Sequence, residues 1–178
     1  MPFVALDVET NKRVDITKIE YPRLALKREN MRCQLCHTPL LIKAGIQKKA
    51  HFAHVSQCSS DYGVHPETED HRRAKLFIAE HLQQEFKDYT SATIEYEVPI
   101  PEVKRVADLL ATFPMGWRVA HEIQLAPITV EELRQRTEDY ECAGIDVVWW
   151  LGKRANTDGN RAWCEDAFGY AVTIFDQR

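Results

Sequence analysis

The chain has 178 residues, 44% of them hydrophobic and 28% charged, with a formal net charge of −4. Those values describe a soluble globular protein of one ordinary domain, or one domain with a small appendage. They exclude a membrane-spanning chain, because the longest apolar runs, such as Ile145–Leu151, fall far short of the roughly 20 residues a bilayer requires.

In chain order, residues 3–9 and 13–19 read as short strands of a hairpin about Thr10-Asn11-Lys12. A Cys/His region follows, from Cys33 to Cys58, and Ser59-Ser60-Asp61-Tyr62-Gly63 reads as a linker. Pro66 suits the first turn of a helix running to about Lys87, with Ala74, Ile78, Leu82 and Phe86 as its apolar stripe. Thr93–Ile100 alternates as a strand should, and Val103–Phe113 and Trp117–Gln124 flank the turn-forming Pro114-Met115-Gly116. Thr129 and Glu132 form a capping box opening a second helix, Ile128 and Leu133 have staple spacing, and Gly144 ends it. Ile145–Leu151 reads as a buried strand and Gly169–Phe175 as a last one. The fold class is therefore α/β (α+β), an αβββαβ core with a mixed sheet flanked by helices. We expect two domains, one with the hairpin and the Cys/His region over residues 1–60 and one with the αβββαβ core over 61–178.

Charge is unevenly spread. Residues 1–58 hold ten Lys/Arg against five Asp/Glu, while the remainder holds 13 against 22. A basic front and an acidic body fit a phosphate-contacting module joined to a carboxylate-bearing one, although surface composition varies this much by chance. Within the front, Cys33-x-x-Cys36, His51-Phe52-Ala53-His54 and Cys58 offer five donors for the four places of a tetrahedral zinc. Cys33, Cys36, His54 and Cys58 are the favoured set, with His51 as substitute, because alternation along a strand points His51 and His54 to opposite faces. The site reads as structural, since about sixty residues rarely hold a core without a staple. No strand–helix pattern surrounds the Cys-x-x-Cys, which argues against a redox pair. The absence of a signal-like opening and of a disulfide pattern makes the cytosol the default compartment.

In the second half, charge falls where burial is expected. Glu67, His71 and Lys75 are spaced by four on the inner side of the first helix, with Arg72, Glu69, Gln83 and Glu80 opposite. Charge on an inner face needs a partner or a metal, unless these side chains merely snorkel at a helix edge. Asp108 and Glu122 stand in adjacent strands, and Gln124 shares a face with Glu122. Two such carboxylates can converge on Mg²⁺ or Mn²⁺, or lie on a solvated sheet face. Arg136 and Tyr140 follow on the inner stripe of the second helix, where a cation can neutralise phosphate or form a structural ion pair.

These stretches, in this order over residues 30 to 151, resemble the competence protein CoiA-like nuclease family. The matching residues are Cys33-x-x-Cys36, His51-Phe-Ala-His54 with its following cysteine, and Glu67-Thr-Glu-Asp-His71-x-x-x-Lys75. They continue through Arg105-x-x-Asp108, Glu122-Ile-Gln124 and Arg136-x-x-x-Tyr140-x-x-x-Gly144-Ile145. The resemblance implies a restriction-endonuclease-like fold of the PD-(D/E)xK class, divalent-metal cleavage of DNA, and a role in DNA uptake and recombination or in defence. It implies that Asp108 and Glu122 are metal ligands, with Glu67 as a third carboxylate on the helix. Gln124 takes the place of the class lysine, where it would position water, and Lys75 would supply the missing charge. The chain stops soon after the core, so the C-terminal extension of the longer competence proteins is expected to be missing.

The alternative function is a zinc-dependent nucleic-acid-binding or adaptor protein on an inactive nuclease scaffold, which the absent lysine favours. RNA stands beside DNA as a substrate class, and a dimer is open.

Overall fold

A computed structural model describes residues 2–45, 49–62 and 67–174. The chain divides into two compact units, residues 1–68 and 69–178. In the first, β1 (Val4–Asp7) and β2 (Lys12–Asp15) form the hairpin, turned by Asn11 at φ +53°, a conformation asparagine tolerates better than most residues. The second strand is shorter than its alternation predicts. At Asp15 the side chain accepts the Thr17 N–H at 3.0 Å and starts a single 3₁₀ turn, Ile16–Lys18, so the chain turns in and buries Ile16. A four-residue helix, α1 (Pro22–Ala25), and a second 3₁₀ turn, Arg28–Asn30, lead to β3 (Met31–Arg32), which pairs with β1. Strands β4 (Leu40–Lys43) and β5 (His51–His54) pair antiparallel. Phe3, Ile16, Met31, Leu40 and Phe52 are the largest fully buried side chains of this small unit among the described residues.

The second unit opens with α2 (Glu69–Glu85). It starts later than predicted, so Glu67 precedes the helix rather than standing on it, and Pro66 lies outside the described residues. Two further expectations fail here. Arg72, assigned to the outer side, is buried, and Phe86 lies beyond the helix end and is half exposed. Strands β6 (Thr93–Ile100), β7 (Arg105–Thr112) and β8 (Arg118–Gln124) are successive antiparallel neighbours. Helix α3 (Val130–Cys142) then carries the chain to β9 (Asp146–Leu151), parallel to β8. A parallel return needs such a crossover. The capping box is present at both ends: Glu132 N–H meets Thr129 Oγ1 at 3.1 Å, and Thr129 N–H meets Glu132 Oε2 at 3.0 Å.

A third helix of this unit, α4 (Asp158–Phe168), was not foreseen. Asn156, Asp158, Gly159 and Asn160 read as loop formers, yet Thr157 caps the helix and the buried Asn160 amide donates to the Ile128 and Ala155 carbonyls. Gly169 at φ +77° ends it, and only two residues, Val172–Thr173 (β10), then pair with β9. Phe175, the expected end of the last strand, lies outside the described residues. The sheet order is β10-β9-β8-β7-β6, mixed, with its β8–α3–β9 core packed on Leu110, Leu133, Tyr140, Val147, Trp149 and Leu151. This is the expected αβββαβ arrangement of a mixed sheet with helices, with α4 and β10 added.

Candidate functional site

Strands β7 and β8 part company at Asp108 and Glu122. Their ladder runs from Thr112↔Arg118 to Leu109↔His121 and stops. Beyond it β7 stays paired with β6 through Ala107↔Val98, and β8 with β9 through Glu122↔Trp149 and Gln124↔Leu151. Backbone N–H groups at such a fork lose their cross-strand carbonyls and need other acceptors. The acids supply them. Ile123 N–H donates to Asp108 Oδ2 at 2.9 Å, and Asp108 N–H donates to Glu122 Oε1 at 3.3 Å.

Each acid is also held from a helix. On α2, His71 Nε2 lies 3.1 Å from Asp108 Oδ2 and 2.9 Å from the Ile123 carbonyl. A carbonyl only accepts, so Nε2 carries a proton and donates. On α3, Tyr140 O–H donates to Glu122 Oε1 at 2.6 Å, and Arg136 Nη2 pairs with Glu122 Oε2. Arg136 Nη1 reaches Gln124 Oε1 at 3.3 Å, and its guanidinium lies 4.8 Å from the centre of the Trp149 ring, a cation–π contact. Gln124 Nε2 donates to the Ala126 carbonyl at 2.9 Å, so both ends of that amide are engaged. Arg136 Nε is buried with no hydrogen-bond partner among the described residues.

The acids differ in access and in proton affinity. The Asp108 side chain is 18% exposed and that of Glu122 only 1%. Burial works to raise Asp108, but His71, Lys75 and the Ile123 N–H outweigh it and hold the carboxyl below the usual aspartate range. Burial pushes Glu122 up, and the Asp108 charge adds to this against Arg136 and Tyr140. Two carboxyls driven apart in this way divide naturally into one charged group and one that holds protons more readily.

Sequence reasoning missed Glu97. In the β6–β7 register it falls opposite Asp108, between Tyr96↔Leu109 and Val98↔Ala107, so Glu97, Asp108 and Glu122 occupy one row across three strands. Its backbone is left-handed at φ +52°, it is buried, and Lys75 Nζ lies 2.5 Å from its Oε1. Regular alternation would place Glu97 beside Glu95 on the solvated face. The only warning was Lys75 itself, a cation on the inner side of α2 in need of an acid. Of the other expected residues, His71, Lys75, Arg136 and Tyr140 all gather around this row.

In the N-terminal unit, ligand atoms of Cys33, Cys36, His54 and Cys58 all lie within 4.8 Å of one another. Cys33 Sγ is 4.0 Å from Cys58 Sγ, and Cys36 Sγ is 3.5 Å from His54 Nε2. A tetrahedral zinc with its usual bond lengths spaces such atoms by about 3.5–3.8 Å, so the set fits zinc. The turn is shaped for it: Cys33 N–H bonds the Thr38 carbonyl at 2.9 Å, His37 N–H returns to the Cys33 carbonyl at 3.0 Å, and Leu35 N–H points at Cys33 Sγ. His51, the expected substitute, stands apart. It is buried, and its Nδ1 lies 2.9 Å from the Lys49 carbonyl.

Fold and acid row together suit a nuclease-like domain, preceded by a Cys₃His module. The chain belongs to the competence protein CoiA family. Residues 67–176 match the family described as competence protein CoiA, nuclease-like domain, and residues 14–61 match competence protein CoiA, N-terminal domain. Competence protein CoiA of Bacillus subtilis (strain 168) is 29% identical over 127 residues, which cover 71% of this chain but 32% of that protein. The matched stretch is thus about a third of its length. Solved structures with some similarity include a repair endonuclease from Pyrococcus abyssi, at 18% identity and a TM-score of 0.40, covering 65% of this chain and 50% of that one. Another is an EndoMS-dsDNA2 complex, at 18% identity and a TM-score of 0.38, covering 67% of this chain and 50% of that one.

Proposed function

We propose that the chain is a divalent-metal-dependent deoxyribonuclease, with Mg²⁺ or Mn²⁺ held by Asp108 and Glu122, acting on DNA in uptake, recombination or defence in the cytoplasm. The observation that carries this reading is the strand fork, where two carboxylates meet beside the partly buried Arg136. An all-oxygen pair suits a hard ion, and Glu122 already accepts a positive group in Arg136. Such a metal, when bound, polarises a phosphodiester and activates water. In this reading His71 fixes the orientation of Asp108, and Tyr140 does so for Glu122. Arg136 leaves Glu122 for a phosphate oxygen, with its orphaned Nε a further donor and Gln124 steering it. Glu67 supplies a third carboxylate, and Lys75 offsets the negative charge of the row. Residues 1–60 serve as the zinc-stapled module and 61–178 as the catalytic one. The test is incubation of purified protein with single-stranded, duplex and branched DNA and with RNA, with Mn²⁺ and with chelator. Mn²⁺-dependent cleavage of DNA is expected, and intact substrates throughout would end the proposal.

One observation favours a second reading, a nucleic-acid-binding protein on an inactive scaffold. Glu122 is fully enclosed, and its oxygens already take Tyr140, Arg136 and the Asp108 N–H. If Arg136 never leaves, the cation place is permanently filled by the protein. The wild type and one variant together decide the matter: the wild type would then cut nothing with Mn²⁺, and Arg136→Met would raise Mn²⁺ affinity without bringing any cleavage.

A further inference from the structure

The basic surplus of the N-terminal unit is not spread evenly, and part of it converges on a cleft. Arg28, Glu29, Arg32, Pro39 and Leu40 line an open cavity of about 450 Å³. Arg28 stands in the 3₁₀ turn after α1, is exposed, and has no ion-pair or hydrogen-bond partner for its side chain among the described residues. Arg32, on β3, is held differently. Its Nη1 donates to the Glu29 carbonyl at 2.7 Å and to the Met31 carbonyl at 3.1 Å, which fixes the guanidinium plane while leaving its charge without a carboxylate among the described residues. By contrast Lys27, between them and α1, is tied to Glu9 at 3.1 Å. Arg32 and Pro39 bridge across the neck of the zinc turn, and the buried Leu40 supplies an apolar wall.

We infer that this cleft binds one nucleotide of a single-stranded nucleic acid, with Arg28 and Arg32 on the phosphate. Guanidinium forks match phosphate oxygens, and a fork fixed beforehand loses little freedom on binding. The cavity is of the size that holds a small organic ligand. Two arginines against one carboxylate leave it positive, while Pro39 and Leu40 give a sugar or base an apolar surface. The cleft is open, so a flexible single strand can seat one phosphate between the arginines and turn a base onto Pro39, which the stacked bases of a duplex do not do. The inference stands apart from cleavage, since it concerns only binding by the zinc-bearing unit.

The experiment is fluorescence anisotropy of a labelled 20-nucleotide DNA strand with the full zinc-loaded chain and no added Mg²⁺ or Mn²⁺. An RNA strand of the same sequence and a DNA duplex are run alongside. Arg28→Ala is expected to weaken single-strand binding about tenfold and to lower the salt slope by about 0.7. Arg28→Lys should keep the slope but lose several-fold in affinity, because the fork and not the charge alone is used. Lys12→Ala, which removes the same charge from the start of β2, should stay within about twofold of wild type. Zinc content and circular dichroism are expected to match wild type in all three, and equal losses on DNA and RNA strands would assign the site to the shared phosphodiester. The inference is overturned if no strand binds, if Arg28→Ala binds as wild type does, or if Lys12→Ala loses as much. Duplex binding with the same arginine dependence, or equal competition by polyglutamate of matched length, would also overturn it.

Discussion

Asp108 and Glu122 face each other across the fork of β7 and β8, each taking a backbone N–H that the parted ladder releases. This reciprocity makes the two acids structural and reactive at once, and it separates the variants that test them. Asp108→Asn keeps an oxygen for the Ile123 N–H but loses the charge. We expect Mn²⁺-dependent cleavage to fall by about 100-fold or more, with the melting temperature within about 5 °C of wild type. Glu122→Ala is a poorer probe, because it strands Arg136 and Tyr140 and should cost about 3 kcal/mol. Undiminished cleavage by Asp108→Asn would mean that the nuclease is a contaminant or that the site is elsewhere.

The Lys75–Glu97 pair predicts a different pattern. Both side chains are nearly fully buried, so removing either takes from the other an opposite charge at hydrogen-bond distance in the interior. Lys75→Met and Glu97→Gln should each lower stability by about 3–5 kcal/mol in urea unfolding, and the double variant should recover most of that loss. Additive losses in the double variant would show that the two charges do not depend on one another. If Lys75 serves only to fold the protein, the rescued double variant should also cleave normally. If it offsets the charge of the acid row, the rescued protein should remain slow.

Much of this arrangement was readable in the chain. The capping box at Thr129, the glycine stop at Gly144 and the strands around Pro114-Met115-Gly116 follow from local chemistry, and they suffice for the αβββαβ order. The four donors favoured from among five do lie together, because strand alternation separates His51 from His54. What escaped depends on long-range pairing. No local signal says that β7 and β8 part at Asp108, since the fork is made by β6 and β9 pulling them in different directions. Glu97 escaped because its left-handed backbone is carried by a residue type that does not announce it. Arg72 was assigned to solvent on a wheel that sees only one packing face of α2, yet it is buried. Helix α4 hid behind Asp158-Gly159-Asn160, where the turn formers are the first turn of the helix, capped by Thr157, rather than a loop.

The Cys₃His cluster predicts one zinc per chain and a local dependence on it. The first unit has few large buried side chains, so the metal should hold β4 against β5 and close the Cys33–Thr38 turn. Elemental analysis should find one zinc, lost in Cys36→Ser. By hydrogen exchange the metal-free protein should lose protection at Leu40–Lys43 and His51–His54 while β7 and β8 stay protected. Full protection of β4 and β5 without zinc would show the metal to be dispensable.

His121 predicts how the second unit responds to acid. It is buried between Trp150 and Tyr89: Trp150 Nε1–H donates to its Nδ1 at 3.0 Å, so the ring proton sits on Nε2, 3.0 Å from Tyr89 Oη. Burial pushes its pKa down to about 4. An unfolded histidine titrates near 6.5, so between those values the unfolded chain holds more protons and stability falls as the pH drops. The contribution is complete above about pH 6.5, and it is lost over the window down to about pH 4, on the order of 3 kcal/mol in all. Charging the ring would also break the Trp150 bond. All four tryptophans, Trp117, Trp149, Trp150 and Trp163, lie in the second unit, so their fluorescence follows this unit without interference from the zinc module. Urea unfolding at pH 7.0, 5.5 and 4.5 should therefore show a steep decline in wild type. The decline should be shallower in His121→Asn, whose amide oxygen can still accept from Trp150. Parallel slopes for the two proteins would place the acid sensitivity in other groups and show that His121 takes up its proton over the same range folded and unfolded.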